Sequence, residues 1–213
     1  MKLAGLYAIT PDAADGAHLL ARVGQALERA GEGGWAALQY RNKLAAAPLR
    51  LAQARALAAL ARANGVRFIV NDDIELALQV DADGVHLGRL DGSLAEARRR
   101  LSGRIVGATC HDSLAAARAA VAAGADYVAF GSVFPSRTKP AAVRAPLALF
   151  GEARALGVPL VAIGGIDAHN AAEVIRAGAD AIAVISALFD APDVAARARA
   201  LTNLFKTTRT ANP

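Results

Sequence analysis

One cysteine, Cys110, stands in the 213 residues, so no internal disulfide can staple the chain. No apolar run approaches the length of a membrane span, and no cleavable signal precedes the first apolar segment. A reducing cytoplasm is therefore the expected compartment, with no membrane partner. The net charge is +5, yet no block mixes basic and aromatic residues in the manner of a nucleic-acid module, and the cations lie along helical stretches such as Arg98-Arg99-Arg100. Small anionic substrates account for the excess of cations at least as well as nucleic acid does. No GxGxxG follows the first apolar segment, which weighs against a dinucleotide fold. No spacing supports a Ser-His-Asp or Cys-His arrangement, so covalent acyl chemistry is not expected.

What is present is an alternation of short β-rich runs and alanine-rich helical stretches, with 54% of residues hydrophobic. The strand signals are Leu6–Thr10, Ala37–Arg41, Phe68–Val70, Val85–Leu87, Ile105–Cys110, Tyr127–Gly131, Pro159–Ile163 and Ala181–Ile185. Helical stretches follow, among them about Ala17–Ala30, Leu49–Ala63, Ile74–Val80, Leu94–Leu101 and Val194–Phe205, several closed by Gly or Asn-Gly. The tetrapeptide AGAD recurs at Ala123–Asp126 and Ala177–Asp180, each time between a helix and the next strand. Eight βα units of this size predict a single-domain α/β protein, a closed (β/α)8 TIM barrel over 1–206, with a disordered tail over 207–213. An open doubly wound sheet is the alternative.

In a barrel the chemistry sits at the C-terminal ends of the strands. The third and fourth strands deliver acid there: Asn71-Asp72-Asp73 and, three residues past Gly88, Asp91. Strands joined through a helix run parallel, so Asp72 and Asp91 can converge. Converging carboxylates suit a hard cation such as Mg²⁺, while Asp73 reads better as a helix cap. The second strand ends Gln39-Tyr40-Arg41-Asn42-Lys43, and alternation puts Gln39, Arg41 and Lys43 in phase, a set suited to a polyanion. The long loop after the sixth strand carries Ser136-Arg137-Thr138-Lys139, a second anion site. Gly164-Gly165 and Ile185-Ser186, after strands seven and eight, occupy the place of this fold's phosphate cradle. His86, inside a strand, reads as a satisfied core residue, His18 and His169 as surface residues, and His111, just after strand five, as a residue that could border the site. Lys43 or Lys139 could instead form a Schiff base, but flanking cations and hydroxyls favour phosphate binding.

These pieces in order, LYAITP at Leu6–Pro11, QYRNK at Gln39–Lys43, NDD at Asn71–Asp73, GVHLGRLD at Gly84–Asp91, FGSVFPSRTKP at Phe130–Pro140, AIGGI at Ala162–Ile166 and VIS at Val184–Ser186, resemble the thiamine phosphate synthase family. The resemblance implies a Mg²⁺-dependent transferase that joins a hydroxymethylpyrimidine diphosphate to a thiazole phosphate, giving thiamine phosphate and diphosphate. It assigns Gln39, Tyr40, Arg41, Asn42, Lys43, Asn71, Cys110 and Lys139 to the pyrimidine diphosphate. Ser136, Arg137, Thr138, Gly165, Ile185 and Ser186 fall to the thiazole phosphate, and Asp72 and Asp91 to Mg²⁺. Arg41, Lys43 and Lys139 would stabilise the leaving diphosphate as the pyrimidine methylene becomes a cation that the thiazole nitrogen captures, with no protein nucleophile. Two positions depart from the family pattern: Cys110 replaces a customary serine, and Ser136 a frequent threonine. Related readings are a thiazole tautomerase on the same barrel and a phosphate-binding barrel without catalysis. The full acidic and basic set argues against both.

Overall fold

The computed structural model describes residues 3–89, 91–135 and 143–210. Eight strands close a barrel in which each is parallel to its sequence neighbours and β8 pairs back to β1. They are β1 Gly5–Ile9, β2 Trp35–Tyr40, β3 Phe68–Asn71, β4 Gly84–Leu87, β5 Ile105–His111, β6 Tyr127–Phe130, β7 Leu160–Ile163 and β8 Ala181–Val184. The helices between them are α1 Gly16–Leu27, α2 Ala47–Ala63, α3 Ile74–Gln79, α4 Leu94–Arg100, α5 Leu114–Ala122, α6 Ala148–Ala153, α7 Ala171–Arg176, α8 Ser186–Phe189 and α9 Val194–Thr210. The closed barrel is the architecture expected from the sequence. The four-residue α8 was not, because a single turn carries no periodicity. Helix α9 continues to Thr210, four residues into the stretch read as a disordered tail, because no Gly or Pro interrupts Lys206–Thr210.

Strand alternation sorts the core into two layers. Inside the barrel lie Tyr7, Ile9, Ala37, Ile69, Tyr127, Ala129, Val161, Ala181 and Ala183. Outside, strand residues such as Leu38, Val70, Val85, Val106 and Val128 pack against Leu19, Leu57, Ala97, Ala117 and Phe150 of the helices. Each such fully buried Leu or Phe is worth about 1.5–3 kcal/mol against exposure. Helix starts follow local chemistry: Asp15, Asp73, Ser93 and Ser113 accept from the backbone N–H three residues on.

The N-terminal rim repeats one device. Asp83, Asp126 and Asp180 each precede an even strand and accept from an N–H at the start of the strand before it: Phe68 at 2.7 Å, Val106 (the second residue of β5) at 2.8 Å and Leu160 at 2.9 Å. The two AGAD repeats supply the second and third of these clasps. They fix strand register at the bottom and leave the top rim to the loops.

Candidate active site

The β1–α1 loop organises the top of β2. Thr10, fully buried, donates from its hydroxyl to the Arg41 carbonyl and accepts from the Arg41 N–H, both at 2.9 Å. Asp12 then accepts from Arg41 Nη1 at 2.8 Å and from the Lys43 N–H at 2.6 Å. Thr10 and Asp12 thus hold the Arg41 guanidinium and the backbone at Arg41 and Lys43. An acid one residue past a strand-ending proline was the available signal.

Within that segment the alternation holds, and it separates the residues. Gln39 points into the barrel, 2% exposed, and donates from Nε2 to Tyr7 Oη at 2.9 Å. Tyr40 points the other way, to α2, and donates to Gln53 Oε1 at 2.9 Å. Burial pushes its phenol up to about 12, so it stays a donor. The Asn42 amide donates to Ala13 O and Gln53 Oε1 and accepts from Leu44 and Ala45 N–H. In this structure the polar groups of Tyr40 and Asn42 brace the loop, since Tyr40 is out of phase with Gln39 and Asn42 closes the turn, while both residues still line the cleft described below.

Lys43 reaches across to Asp72, Nζ to Oδ2 3.0 Å. Asn71, in phase with the inward Ile69, ends β3, and its side chain has no hydrogen-bond partner among the described residues. Asp72 follows at φ 63°, a left-handed conformation that turns its carboxylate away from the helix start, while Asp73 takes the cap of α3. Asp91 accepts from the Gly88 N–H at 3.1 Å. Its carboxyl is raised above the usual range by burial and then by the hydrogen-bonding proximity and charge of Asp72, with Lys43 pulling the other way. The two acids therefore do converge. They line a cleft of about 450 Å³ with Lys43, Arg50, Asn71 and Ser93.

On the opposite side of the mouth, Gly165 lies in a tight turn at φ 65°, where a Cβ would meet Pro135 O at 2.3 Å. The β6 loop thus rests directly on the β7 loop, with Phe134 N–H donating to Gly164 O at 2.9 Å. Ile185 extends the inward phase of β8, and Ser186 opens α8. These three residues share two adjacent strand ends. Ser136, Arg137, Thr138 and Lys139 lie outside the described residues.

Cys110 is the clearest correction. Along β5 it keeps phase with Val106 and Ala108, which pack on the helices, and it is 2% exposed. Burial pushes its thiol up to about 12. The residue of β5 that faces the barrel is Thr109, half-buried, its Oγ1 2.8 Å from His86 Nε2. The strand carries an irregularity between Thr109 and His111, which hid the phase from sequence reading. His111 is exposed just beyond it.

A parallel eight-stranded barrel with acids and cations gathered at the C-terminal ends of its strands is the layout of a (β/α)8 enzyme for anionic substrates. The family described as thiamine monophosphate synthase matches residues 6–188, and the chain belongs to that family. It is 59% identical over 205 residues to a thiamine-phosphate synthase of Chromobacterium violaceum, covering 96% of this chain and 97% of the relative. It is 61% identical over 206 residues to one of Aromatoleum aromaticum, at the same coverage. Its barrel superposes on a thiamine phosphate pyrophosphorylase of Pyrococcus furiosus with a TM-score of 0.83 at 34% identity, over 97% of this chain and 98% of that one.

Proposed function

We propose that this chain is a transferase of thiamine biosynthesis that joins a hydroxymethylpyrimidine diphosphate to a thiazole phosphate, releasing diphosphate. The observation that carries the reading is the convergence of Asp72, Asp91 and Lys43 in one cleft. Residues 1–206, extended by the end of α9, act as one catalytic domain. The single buried cysteine fits a reducing cytoplasm.

The acid pair suits Mg²⁺. Two carboxylates close enough to raise one of them want a cation between them. Among the described residues no third His, Cys, Asp or Glu joins the group, and Mg²⁺ characteristically takes one or two carboxylates, keeps waters and binds substrate phosphates. Asp72 and Asp91 would hold it, and when bound it would offset the charge of the diphosphate.

The chain's own groups then divide the work. Arg41 offers a planar fork and Lys43 a point charge to the departing diphosphate, and Lys139 is proposed to join them. Asp12 and Thr10 keep Arg41 from swinging away. Asn71 and Thr109 present polar groups at the mouth, Thr109 taking the place first assigned to Cys110. Gly165, Ile185 and Ser186, with Ser136, Arg137 and Thr138, would receive the thiazole phosphate, in the position this fold uses for phosphate. Bond breaking precedes bond making, so the site needs no protein nucleophile and works by orientation and charge.

The deciding experiment mixes purified protein, Mg²⁺ and both substrates and measures thiamine phosphate and diphosphate. Both should appear in equal amounts, stop on adding EDTA, and resume with excess Mg²⁺. Absence of product would overturn the activity, and full activity in metal-free buffer would overturn the metal.

A further inference from the structure

Between the two sides of the mouth runs a continuous line of buried hydrogen bonds. Gln39 Nε2 is 2.9 Å from Tyr7 Oη, and Tyr7 Oη is 2.7 Å from Tyr127 Oη. Tyr127 Oη is 2.9 Å from His86 Nδ1, and His86 Nε2 is 2.8 Å from Thr109 Oγ1. The line joins β2 to β5 through β1, β6 and β4. Gly107 makes room for it, since a Cβ there would lie 2.0 Å from the Tyr127 ring. The His86 and Tyr127 rings stack at 5.5 Å. Both tyrosines are at most 1% exposed.

We propose that the buried line Gln39–Tyr7–Tyr127–His86–Thr109 fixes the hydrogen-bonding polarity of the mouth, so that Tyr7, Tyr127 and His86 act as positioning residues selecting a ligand that offers a donor at Gln39 and an acceptor oxygen at Thr109. Each hydroxyl has one proton, and a neutral imidazole has one N–H. His86, buried with no carboxylate bonded to either ring nitrogen among the described residues, is neutral. The protons of the whole line therefore point one way or the other together. With the Gln39 amide nitrogen on Tyr7, as the structure has it, Tyr7 donates to Tyr127 and Tyr127 to His86 Nδ1. His86 then donates from Nε2 to Thr109. The Gln39 carbonyl oxygen is left for a donor, and the Thr109 proton for an acceptor. Reversal of the line would exchange both ends at once.

This inference rests on the proposed function, whose first substrate, 4-amino-2-methyl-5-hydroxymethylpyrimidine diphosphate, supplies both halves: an exocyclic amine as donor and phosphate oxygens as acceptors. A pyrimidine with an oxo group in place of the amine offers the wrong polarity at Gln39, and the line prevents that end from turning over alone.

The test has two arms. In the full-length wild-type protein with isotope-labelled histidine, two-bond proton–nitrogen couplings report the His86 tautomer, assigned by its absence from His86→Gln. With Mg²⁺ and inorganic diphosphate bound, His86 should be protonated on Nε2; protonation on Nδ1 overturns the proposal. In the second arm, kcat/KM is compared for the amino and oxo pyrimidine diphosphates. Tyr127→Phe, which keeps the ring and opens the line, should lower the amino-over-oxo ratio about tenfold. An unchanged ratio overturns the proposal, and a merely structural role would lower both values alike. Tyr7→Phe repeats the measurement if Tyr127→Phe does not fold. If the wild-type protein makes no thiamine phosphate, the proposed function falls, while the tautomer arm still decides the relay.

Discussion

The two rims of the barrel treat charge in opposite ways. At the N-terminal rim two of the three clasping carboxylates are also matched by a cation. Asp126 accepts from the Val106 N–H and pairs with Arg98, and Asp180 accepts from the Leu160 N–H and pairs with Arg154 at 2.8 Å. At the C-terminal rim Asp72 and Asp91 crowd each other, Lys43 leans on one of them, and Arg41 is held by Asp12. The bottom rim is satisfied by the chain alone. The top rim holds carboxylates and cations that a metal and a polyanion would rearrange. Stability and chemistry are thus assigned to opposite ends of the same strands, as barrels of this kind generally have it.

That division can be broken first at Asp72. Asp72→Asn keeps a residue type that tolerates φ 63° and removes only the charge. It should lower kcat/KM about a thousandfold, roughly 4 kcal/mol of transition-state stabilisation. Its melting temperature should hold or rise, since repulsion from Asp91 is relieved. A mutant that melts early and keeps its rate would place Asp72 among the structural acids.

His86 sits between the rims and sharpens the comparison through pH. Burial lowers its pKa from 6.5 to about 4, with the Asp72 charge a smaller opposing effect. The unfolded chain takes up this proton below about 6.5 and the native protein does not until about 4. Its contribution is fully present above about 6.5 and is lost as pH falls toward 4, about 3 kcal/mol in all. Denaturant melts of wild type and His86→Gln across that window should differ by this slope. Parallel curves would mean that His86 is protonated in the native barrel.

A smaller effect belongs to the bottom rim. Asp126→Ala strands the Val106 N–H and loosens Arg98. Because that pair is about one-third exposed, most of the loss comes from the backbone bond. Stability should fall by about 2 kcal/mol while kcat/KM stays within about twofold. A loss of rate without a loss of stability would erase the distinction between the rims.

Much of this was legible in the sequence because it depends on local rules. Short β-branched runs separated by alanine-rich stretches gave all eight strands to within a residue or two, and Gln39, Asp72, Asp73 and Asp91 lie where strand ends and caps place them. What was missed depends on partners far along the chain. Tyr7 meets Tyr127 across 120 residues, and Asp12 meets Arg41 across 29. The first leaves no local signature, and the second leaves only an acid after a strand-ending proline. The outward turn of Tyr40 and Cys110 was hidden for a different reason: a strand buried on both faces does not announce which alternate set faces the barrel.

The smallest predicted effect concerns Cys110 itself. Its Sγ lies among outer-layer residues, 3.8 Å from the Ala108 carbonyl oxygen to which it weakly donates. With the thiol pushed up to about 12, about one in ten thousand is ionised at about pH 8, and the thiolate is the reactive form. Thiol reagents should label the native protein slowly, and Mg²⁺ with the pyrimidine diphosphate should not change the rate. Cys110→Ala removes one sulfur from a packed layer and should cost about 1 kcal/mol of stability with kcat/KM within about twofold. Cys110→Ser can keep a hydrogen bond to Ala108 and should cost no more than that. Thr109→Val is the matched control on the other face of the strand. It keeps the branched shape, removes the hydroxyl at the mouth, and should lower kcat/KM about tenfold with little change in melting temperature. Rapid labelling of Cys110 that substrate blocks, together with an active Thr109→Val, would reverse the phase of β5 and return the cysteine to the mouth.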